Sequence, residues 1–104
     1  MRNEQVVMGF MKETEGYPWQ YTCKTKNVKH TGDRLINYST SLAEWDRANG
    51  TLIINETKYS VSTSRVQHYV RRHIPSHVHV IYVTNIPEGT LVLKNYVETN
   101  QITA

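Results

Sequence analysis

The sequence predicts a single α+β domain over residues 1–104, in which a mostly antiparallel sheet carries one amphipathic helix packed on one face. Three observations predict it: short runs of alternating apolar and polar residues, an Asn-Gly step between two such runs, and one apolar stripe with helical spacing. A chain of 104 residues suits one domain, and 38% hydrophobic with 20% charged residues is typical of a folded protein.

The first quarter of the chain predicts two apolar segments. The run over residues 5–11 predicts a strand or another buried segment, with Gly9 weakening either interpretation. The stretch "WQYTCKTKN", which begins at Trp19, alternates and predicts a half-buried strand. Its polar side carries Lys24 and Lys26, and the following "HTGDR" predicts a turn.

Residues 35–61 predict a three-stranded antiparallel meander. The first strand is the extended stretch 35–45. The step Asn49-Gly50 then favours a tight hairpin, because Asn-Gly readily adopts positive φ. "TLIIN" predicts the returning strand, and "KYSV" predicts the third strand after a short turn.

One helix is predicted over residues 63–74, and Pro75 ends it. Its apolar stripe at i, i+3, i+4, i+7 and i+8 consists of Val66, Tyr69, Val70, His73 and Ile74. Two capping solutions are open at its start: Ser62 as N-cap gives a hydrophobic staple, and Ser64 gives a capping box. Beyond the helix, "HVHVIYV" and "TLVLKNYV" predict a C-terminal hairpin.

Composition and motifs exclude several function classes. The net charge of +3 and pI of about 9.1 favour an acidic partner without requiring one. The single Cys23 can form neither an intramolecular disulfide nor a cysteine zinc cage. The chain has no signal-peptide pattern and no apolar run long enough to span a membrane, so we expect a cytoplasmic protein. No nucleotide-loop, hydrolase or metalloprotease motif occurs, and no cofactor is predicted.

The helix start is a candidate anion site. Free backbone N–H groups at a helix N-terminus attract phosphate, and Ser62, Thr63 and Ser64 would line such a site. The glycine-rich loop that lets phosphate approach closely is missing. Capping of the helix by these hydroxyls is therefore the favoured interpretation.

The exposed side of the same helix is a second candidate site. The side chains that share or flank this side are Arg65, His68, Arg72, Arg71 and Gln67. Arginine suits forked contacts with phosphate or carboxylate. A solvated helix face is the alternative interpretation. No acidic residue occurs between residues 58 and 86, however, so this segment offers the arginines no salt-bridge partner.

Two histidines raise the question of a metal site. His77 and His79 lie two positions apart in a predicted strand, so both would face the same way. A metal site would also need a third ligand from His68 or His73, with Asp46 or Glu88 as acidic alternatives. Nothing in the sequence brings these residues together, and no metal site is expected.

The stretches "LINYSTSLAEW" and "GTLIINETKYSVSTSRVQHYVRRH" resemble a family of short, mostly uncharacterised tailed-phage proteins. The family pattern places Tyr-Ser ahead of a Thr-Ser helix start, followed by a Lys-His pair and a valine. The matching residues are Tyr59, Ser60, Thr63, Ser64 and Val70. Arg65 replaces the lysine and Val66 replaces the histidine. The resemblance covers residues 35–73 and implies a viral origin and, by analogy, a protein that binds host machinery.

The leading hypothesis is a non-enzymatic binding protein that inhibits a host nucleic-acid-handling or defence complex. The residues predicted to bind the partner are Arg65, His68, Arg71, Arg72, Lys24 and Lys26. One alternative is direct binding of nucleic acid or a nucleotide. A second is a small enzyme with a histidine-bound metal.

Overall fold

The computed structural model describes residues 3–11, 27–31 and 33–97, and within them the predicted α+β fold with a mostly antiparallel sheet is confirmed. In chain order its elements are α1 (Asn3–Met11), β1 (Val28–His30), β2 (Arg34–Asn37), β3 (Thr40–Asp46), β4 (Thr51–Asn55), α2 (Val61–Arg72), β5 (His79–Val83) and a 3₁₀ turn (Lys94–Tyr96). The five strands form one sheet in the order β1-β2-β3-β4-β5. The strand predicted around Lys24 and Lys26 lies outside the described residues.

Strands β1 to β4 form an antiparallel meander that starts earlier than predicted. The stretch 35–45 forms two strands, because the chain turns at Tyr38 and Ser39, where Tyr38 takes a left-handed backbone conformation with φ +57°. The hairpin predicted at Asn49-Gly50 is confirmed as the connection between β3 and β4. Gly50 supplies the left-handed conformation there, with φ +61°.

Strand β5 differs from the prediction, since it pairs in parallel with β4, with Thr51 opposite His79. A parallel neighbour requires a crossover, and α2 provides it. The predicted third meander strand and the predicted C-terminal hairpin are therefore wrong. Residues 56–60 form the loop that leads into α2, and residues 84–93 contain no strand.

The apolar run over residues 5–11 belongs to helix α1 and is not a strand. Val6, Val7 and Phe10 are fully buried, and their spacing puts them on one side of the helix. The Trp45 indole N–H donates to the Phe10 carbonyl over 3.1 Å, and the two rings stack with centroids 5.6 Å apart. This bond satisfies a carbonyl near the end of the helix, so contacts with the sheet stabilise a helix too short to be stable alone.

Helix α2 spans Val61–Arg72, two residues ahead of the predicted range 63–74. Val66 and Val70 of the predicted stripe are buried in the same cluster as Leu52 and Ile54 of β4, which confirms the stripe within the helix. Its last two members, His73 and Ile74, lie beyond the last helical residue. Neither of the two described helices is long and apolar enough to cross a membrane.

The N-cap of α2 is Ser60, so both predicted caps, Ser62 and Ser64, are wrong. The Ser60 hydroxyl accepts the N–H of Thr63 over 3.2 Å. Thr63 is buried and its own hydroxyl donates to Asn37 on β2 over 2.6 Å. This contact with the sheet fixes the first turn of the helix, and Ser60 is then the residue placed to cap it.

Residues 84–97 cover the face of the sheet opposite the helices. Alternation along β4 turns Ile53 to this face, where it packs with Ile86 and Leu93. The Leu93 N–H donates to the buried carboxylate of Glu44 over 2.8 Å. The segment is thus held against the sheet by apolar packing and by a charge-assisted hydrogen bond.

Candidate functional site

Helix α2 presents an exposed ridge on the side that faces away from the sheet. Val61, Arg65, His68 and Arg72 recur at i, i+4, i+7 and i+11 and are all exposed. With 100° of rotation per residue these positions share one side of the helix. We call these four residues the α2 ridge. The sequence predicts three of them on one face but not Val61, because the predicted helix begins at residue 63.

An open groove of about 460 Å³ runs along one flank of the ridge. Its lining residues are Val61, Ser64, Arg65, His68 and Tyr69. Val61 is 77% exposed, and the His68 and Tyr69 rings lie with centroids 6.3 Å apart. The groove therefore combines apolar and aromatic surface with a guanidinium group.

The arginines of α2 have unequal surroundings. Arg65 and Arg71 form no salt bridge with any residue of the described ranges. The Arg72 Nη1 lies 4.0 Å from the Glu4 carboxylate of α1, which also contacts the His73 Nε2 at 2.7 Å. Arg72 therefore does have an acidic neighbour, supplied by α1 and not by its own segment.

Position in the helix separates the arginines further. Arg71 and Arg72 lie in the last turn, where a positive charge interacts favourably with the helix dipole. Arg65 lies near the start of the helix and gains nothing from the dipole. Gln67, predicted to flank the basic face, is buried and donates to the carbonyls of Asn55 and Thr57, each over 2.9 Å. Arg65 is thus the cation on α2 that fold stability explains least.

The three hydroxyl residues of the predicted anion site have different surroundings. Thr63 is buried and bonded to Asn37, whereas Ser62 and Ser64 are exposed. The Ser62 hydroxyl lies 3.1 Å from that of Ser60, and Ser64 lines the groove of the ridge. The Ser60 hydroxyl also lies 3.1 Å from that of Thr63, so Ser62 and Thr63 share this neighbour while Ser64 lines a different surface.

A separate polar cleft of about 230 Å³ lies beside the first turn of α2. Its hydroxyl-bearing residues are Tyr38, Ser39, Thr40, Tyr59, Ser60 and Thr63. The buried Asn37 and the exposed Glu88 complete the lining. We call this feature the hydroxyl cleft. The sequence does not predict the cleft, because its walls come from segments far apart in the chain. The local signal is limited to the Tyr-Ser and Thr-Ser pattern.

The histidines do not form a metal site in the described part of the chain. His77 precedes β5 and lies in a turn, while His79 is the first residue of the strand, and both are exposed. No three His, Cys, Asp or Glu side chains come together there as a metal would require.

His30 of β1 is a buried histidine. Burial lowers the pKa of its imidazole, and the ring lies edge-on to that of Phe10 with centroids 6.4 Å apart.

No protein-family model, curated protein or solved structure matches the chain. The resemblance to tailed-phage proteins therefore stays a prediction. The remaining predicted binding residues, Lys24 and Lys26, lie outside the described residues, as does Cys23. Among the described residues, the α2 ridge and the hydroxyl cleft are the surface features considered below for a function.

Proposed function

We propose that the protein is a non-enzymatic binding protein that holds an acidic surface of a partner protein against the α2 ridge. The observation that carries this proposal is Arg65. It is exposed, lies at the centre of the ridge beside Val61 and His68, and has no carboxylate partner among the described residues. A carboxylate from a partner would give it the forked contact that the chain itself does not provide.

The groove composition favours a protein partner over nucleic acid. The cores of protein interfaces are enriched in aromatic residues and arginine, and the groove joins Tyr69 and His68 to Arg65. Val61 adds an apolar side chain that is 77% exposed, which a phosphate backbone would not use. A partner with an apolar side chain flanked by carboxylates matches this surface.

The identity of the partner is proposed from the resemblance alone. Small tailed-phage proteins of the kind that the Tyr-Ser and Thr-Ser pattern resembles are expected to bind host machinery. We therefore propose a host nucleic-acid-handling or defence complex as the target, and inhibition of that complex as the consequence of binding.

Direct binding of nucleic acid is a second candidate, favoured by one observation. The rings of His68 and Tyr69 lie together beside the guanidinium of Arg65, and aromatic rings next to cations stack on exposed bases. The two candidates differ in their response to salt. Phosphate contacts give a linear fall of log affinity with log salt for every nucleic-acid sequence.

The test is capture from a bacterial lysate on immobilised protein, with and without nuclease. Arg65→Glu should weaken capture of the partner at least about tenfold, since reversal of a central interface charge places like charges in contact. Lys29→Glu is the matched control, because Lys29 is also exposed, makes no described salt bridge and changes the net charge equally. Arg72 is avoided because a carboxylate there would face Glu4.

A protein captured by the wild type and by Lys29→Glu, lost with Arg65→Glu and insensitive to nuclease supports the proposal. Equal capture by wild type and Arg65→Glu refutes the role of the ridge. Capture that nuclease abolishes, with a steep salt dependence, replaces the protein partner with nucleic acid.

A further inference from the structure

We propose that the hydroxyl cleft binds a neutral, ring-shaped polyol, such as a monosaccharide or the ribose of a nucleoside. This site is separate from the α2 ridge and does not depend on the function proposed for it. Both kinds of ligand contain a furanose or pyranose ring, which presents neighbouring hydroxyl groups on one edge and C–H groups on its faces.

The walls of the cleft are held in place before any ligand binds. The Thr63 hydroxyl donates to Asn37, and the Tyr59 hydroxyl donates to the Ile86 carbonyl over 2.5 Å. The Thr40 hydroxyl accepts the N–H of Gly89 over 2.9 Å, which ties the loop that carries Glu88 to the start of β3. These bonds join three segments distant in sequence, so the ligand would meet fixed polar groups and little ordering cost.

The side chains at the mouth of the cleft have unused hydrogen-bonding capacity. Tyr38, Ser39 and Glu88 are exposed and make no side-chain hydrogen bond within the described residues. Two hydroxyls and a carboxylate can together donate to and accept from adjacent ligand hydroxyls. Bonds to the Glu88 carboxylate would be charge-assisted and therefore the strongest of the set.

The charge of the cleft argues against the phosphate ligand that the helix start suggested. Every described lining side chain ends in a hydroxyl, an amide or a carboxylate, and none is cationic. Glu88 places a negative charge beside the position a phosphate would occupy, and Arg65 lines the other groove. A neutral polyol avoids this repulsion and still uses the hydroxyls.

The backbone conformation of Tyr38 is a further argument for a ligand in the cleft. Its φ of +57° lies in a region that a bulky L-residue rarely adopts, in a two-residue hairpin turn whose first position favours glycine. The side chain is 61% exposed, so core packing does not explain a tyrosine there. The Tyr38 N–H donates to the Asn27 carbonyl over 2.8 Å, which ties the backbone of the turn to the residue before β1. Strained backbone conformations are frequent at functional sites. Here the ring is placed to stack on the C–H face of a sugar.

The volume of the cleft limits the ligand to a single ring. Pockets for drug-sized ligands measure roughly 300–1,000 Å³, and this cleft measures about 230 Å³. A compound of about a dozen non-hydrogen atoms is expected to bind in the millimolar range. The cleft would therefore hold one sugar unit, alone or at the end of a larger molecule.

The experiment is an amide-resolved NMR titration of the full chain with three arms. The probes are free monosaccharides (D-glucose, D-galactose and D-ribose), nucleosides (adenosine and uridine) and inorganic phosphate. Binding of a polyol should shift the amide signals of Tyr38, Ser39, Ser60 and Glu88 with a millimolar Kd. The first two arms distinguish a free sugar from a nucleoside. No shifts in either of them, shifts located elsewhere, or shifts with phosphate alone would overturn the proposal.

Two variants test the assigned contacts. Tyr38→Gly should weaken sugar binding at least about fivefold, while the unfolding midpoint stays equal or rises because glycine accepts the positive φ. Glu88→Gln should weaken it about tenfold, the usual loss for one charge-assisted hydrogen bond. The matched control is Glu56→Gln, an exposed glutamate outside the cleft. Unchanged affinity in either cleft variant, or a lower midpoint for Tyr38→Gly, would contradict the proposal.

Discussion

Replacement of Asn55 by alanine is expected to cost much of the stability of the fold. Asn55 lies at the end of β4 with no exposed surface. Its amide nitrogen donates to the Ser41 carbonyl over 3.0 Å and to the Tyr59 hydroxyl over 2.9 Å, and its Oδ1 accepts the Thr57 N–H over 2.9 Å. One side chain thus joins β3, β4 and the loop that leads into α2.

The magnitude follows from these three bonds. A typical hydrogen bond within a protein contributes about 1 kcal/mol, so their removal costs about 3 kcal/mol. Alanine also leaves the Ser41 carbonyl without the amide that donates to it, and a buried polar group without a partner costs about 1–3 kcal/mol more. We expect a total loss of about 4–6 kcal/mol, against a free energy of unfolding of roughly 5–15 kcal/mol for small domains.

Urea unfolding followed by tryptophan fluorescence measures this loss. The comparison requires that the slope of the free energy of unfolding against urea concentration is the same for the variant and the wild type. Asn49→Ala is the matched control. Asn49 is exposed and makes one side-chain bond, to Asp46 over 2.8 Å, so its loss should stay below about 1 kcal/mol. Equal losses for the two variants would refute the structural role assigned to Asn55.

Three further predictions concern the helix start, a buried histidine and a turn. Ser60→Ala should lower the free energy of unfolding by about 1 kcal/mol, because the N-cap bond to Thr63 is lost. Ser62→Ala is the control and should change it by less than about 0.5 kcal/mol. Equal effects of the two substitutions in urea unfolding would contradict the assignment of Ser60 as the N-cap. Burial lowers the pKa of the His30 imidazole below its ordinary value of 6.5, so the imidazole binds a proton more tightly in the unfolded chain than in the folded one. The free energy of unfolding should therefore be highest above pH 6.5 and should decrease as the pH falls below 6.5. In the variant His30→Leu, the thermal midpoint should lose the part of its pH dependence that comes from this imidazole. A midpoint that varies with pH as in the wild type would disprove the assignment. Gly50→Ala should lower the free energy of unfolding by about 1 kcal/mol, because residue 50 has a φ of +61° that alanine rarely adopts. Steric overlap is not the cause, since no atom lies within 4 Å of the new Cβ. A thermal midpoint equal to that of the wild type would show that the turn tolerates the methyl group.

Sequence patterns predicted this fold where the signal was local. The Asn-Gly step specified the β3–β4 hairpin, and the spacing of Val66 and Val70 specified the buried face of α2. Each of these signals needs only neighbours within a few residues, and here the tertiary contacts agree with it.

The predictions failed where several local solutions were nearly equal. Four hydroxyl residues near the start of α2 could act as its N-cap, and the bond from Thr63 to Asn37 on β2 favours Ser60. The apolar run over residues 5–11 is short enough to fit a strand or a helix. Contact of Phe10 with Trp45 stabilises the helix. Both choices depend on contacts between residues at least 26 positions apart in the chain.

The candidate sites show the same division. The exposed position of Arg65 follows from helix geometry, and the sequence analysis could identify it. The Glu4 partner of Arg72 belongs to another helix, and no local pattern predicts that contact. The hydroxyl cleft depends on Tyr38 and Glu88 meeting across the fold, so only the structure could reveal it.

The parallel pairing of β4 with β5 has a consequence for the order of folding. The three turns within the meander contain between two and four residues each, whereas twenty-three residues (56–78) separate β4 from β5. Closing the longer connection costs about 1.5 kcal/mol more chain entropy than closing a four-residue turn. We expect the meander to form first and α2 with β5 to dock afterwards. Amide protons of β5 should then exchange with solvent faster than those of β3. The helix that carries the α2 ridge would thus belong to a part of the fold that opens more readily than the meander.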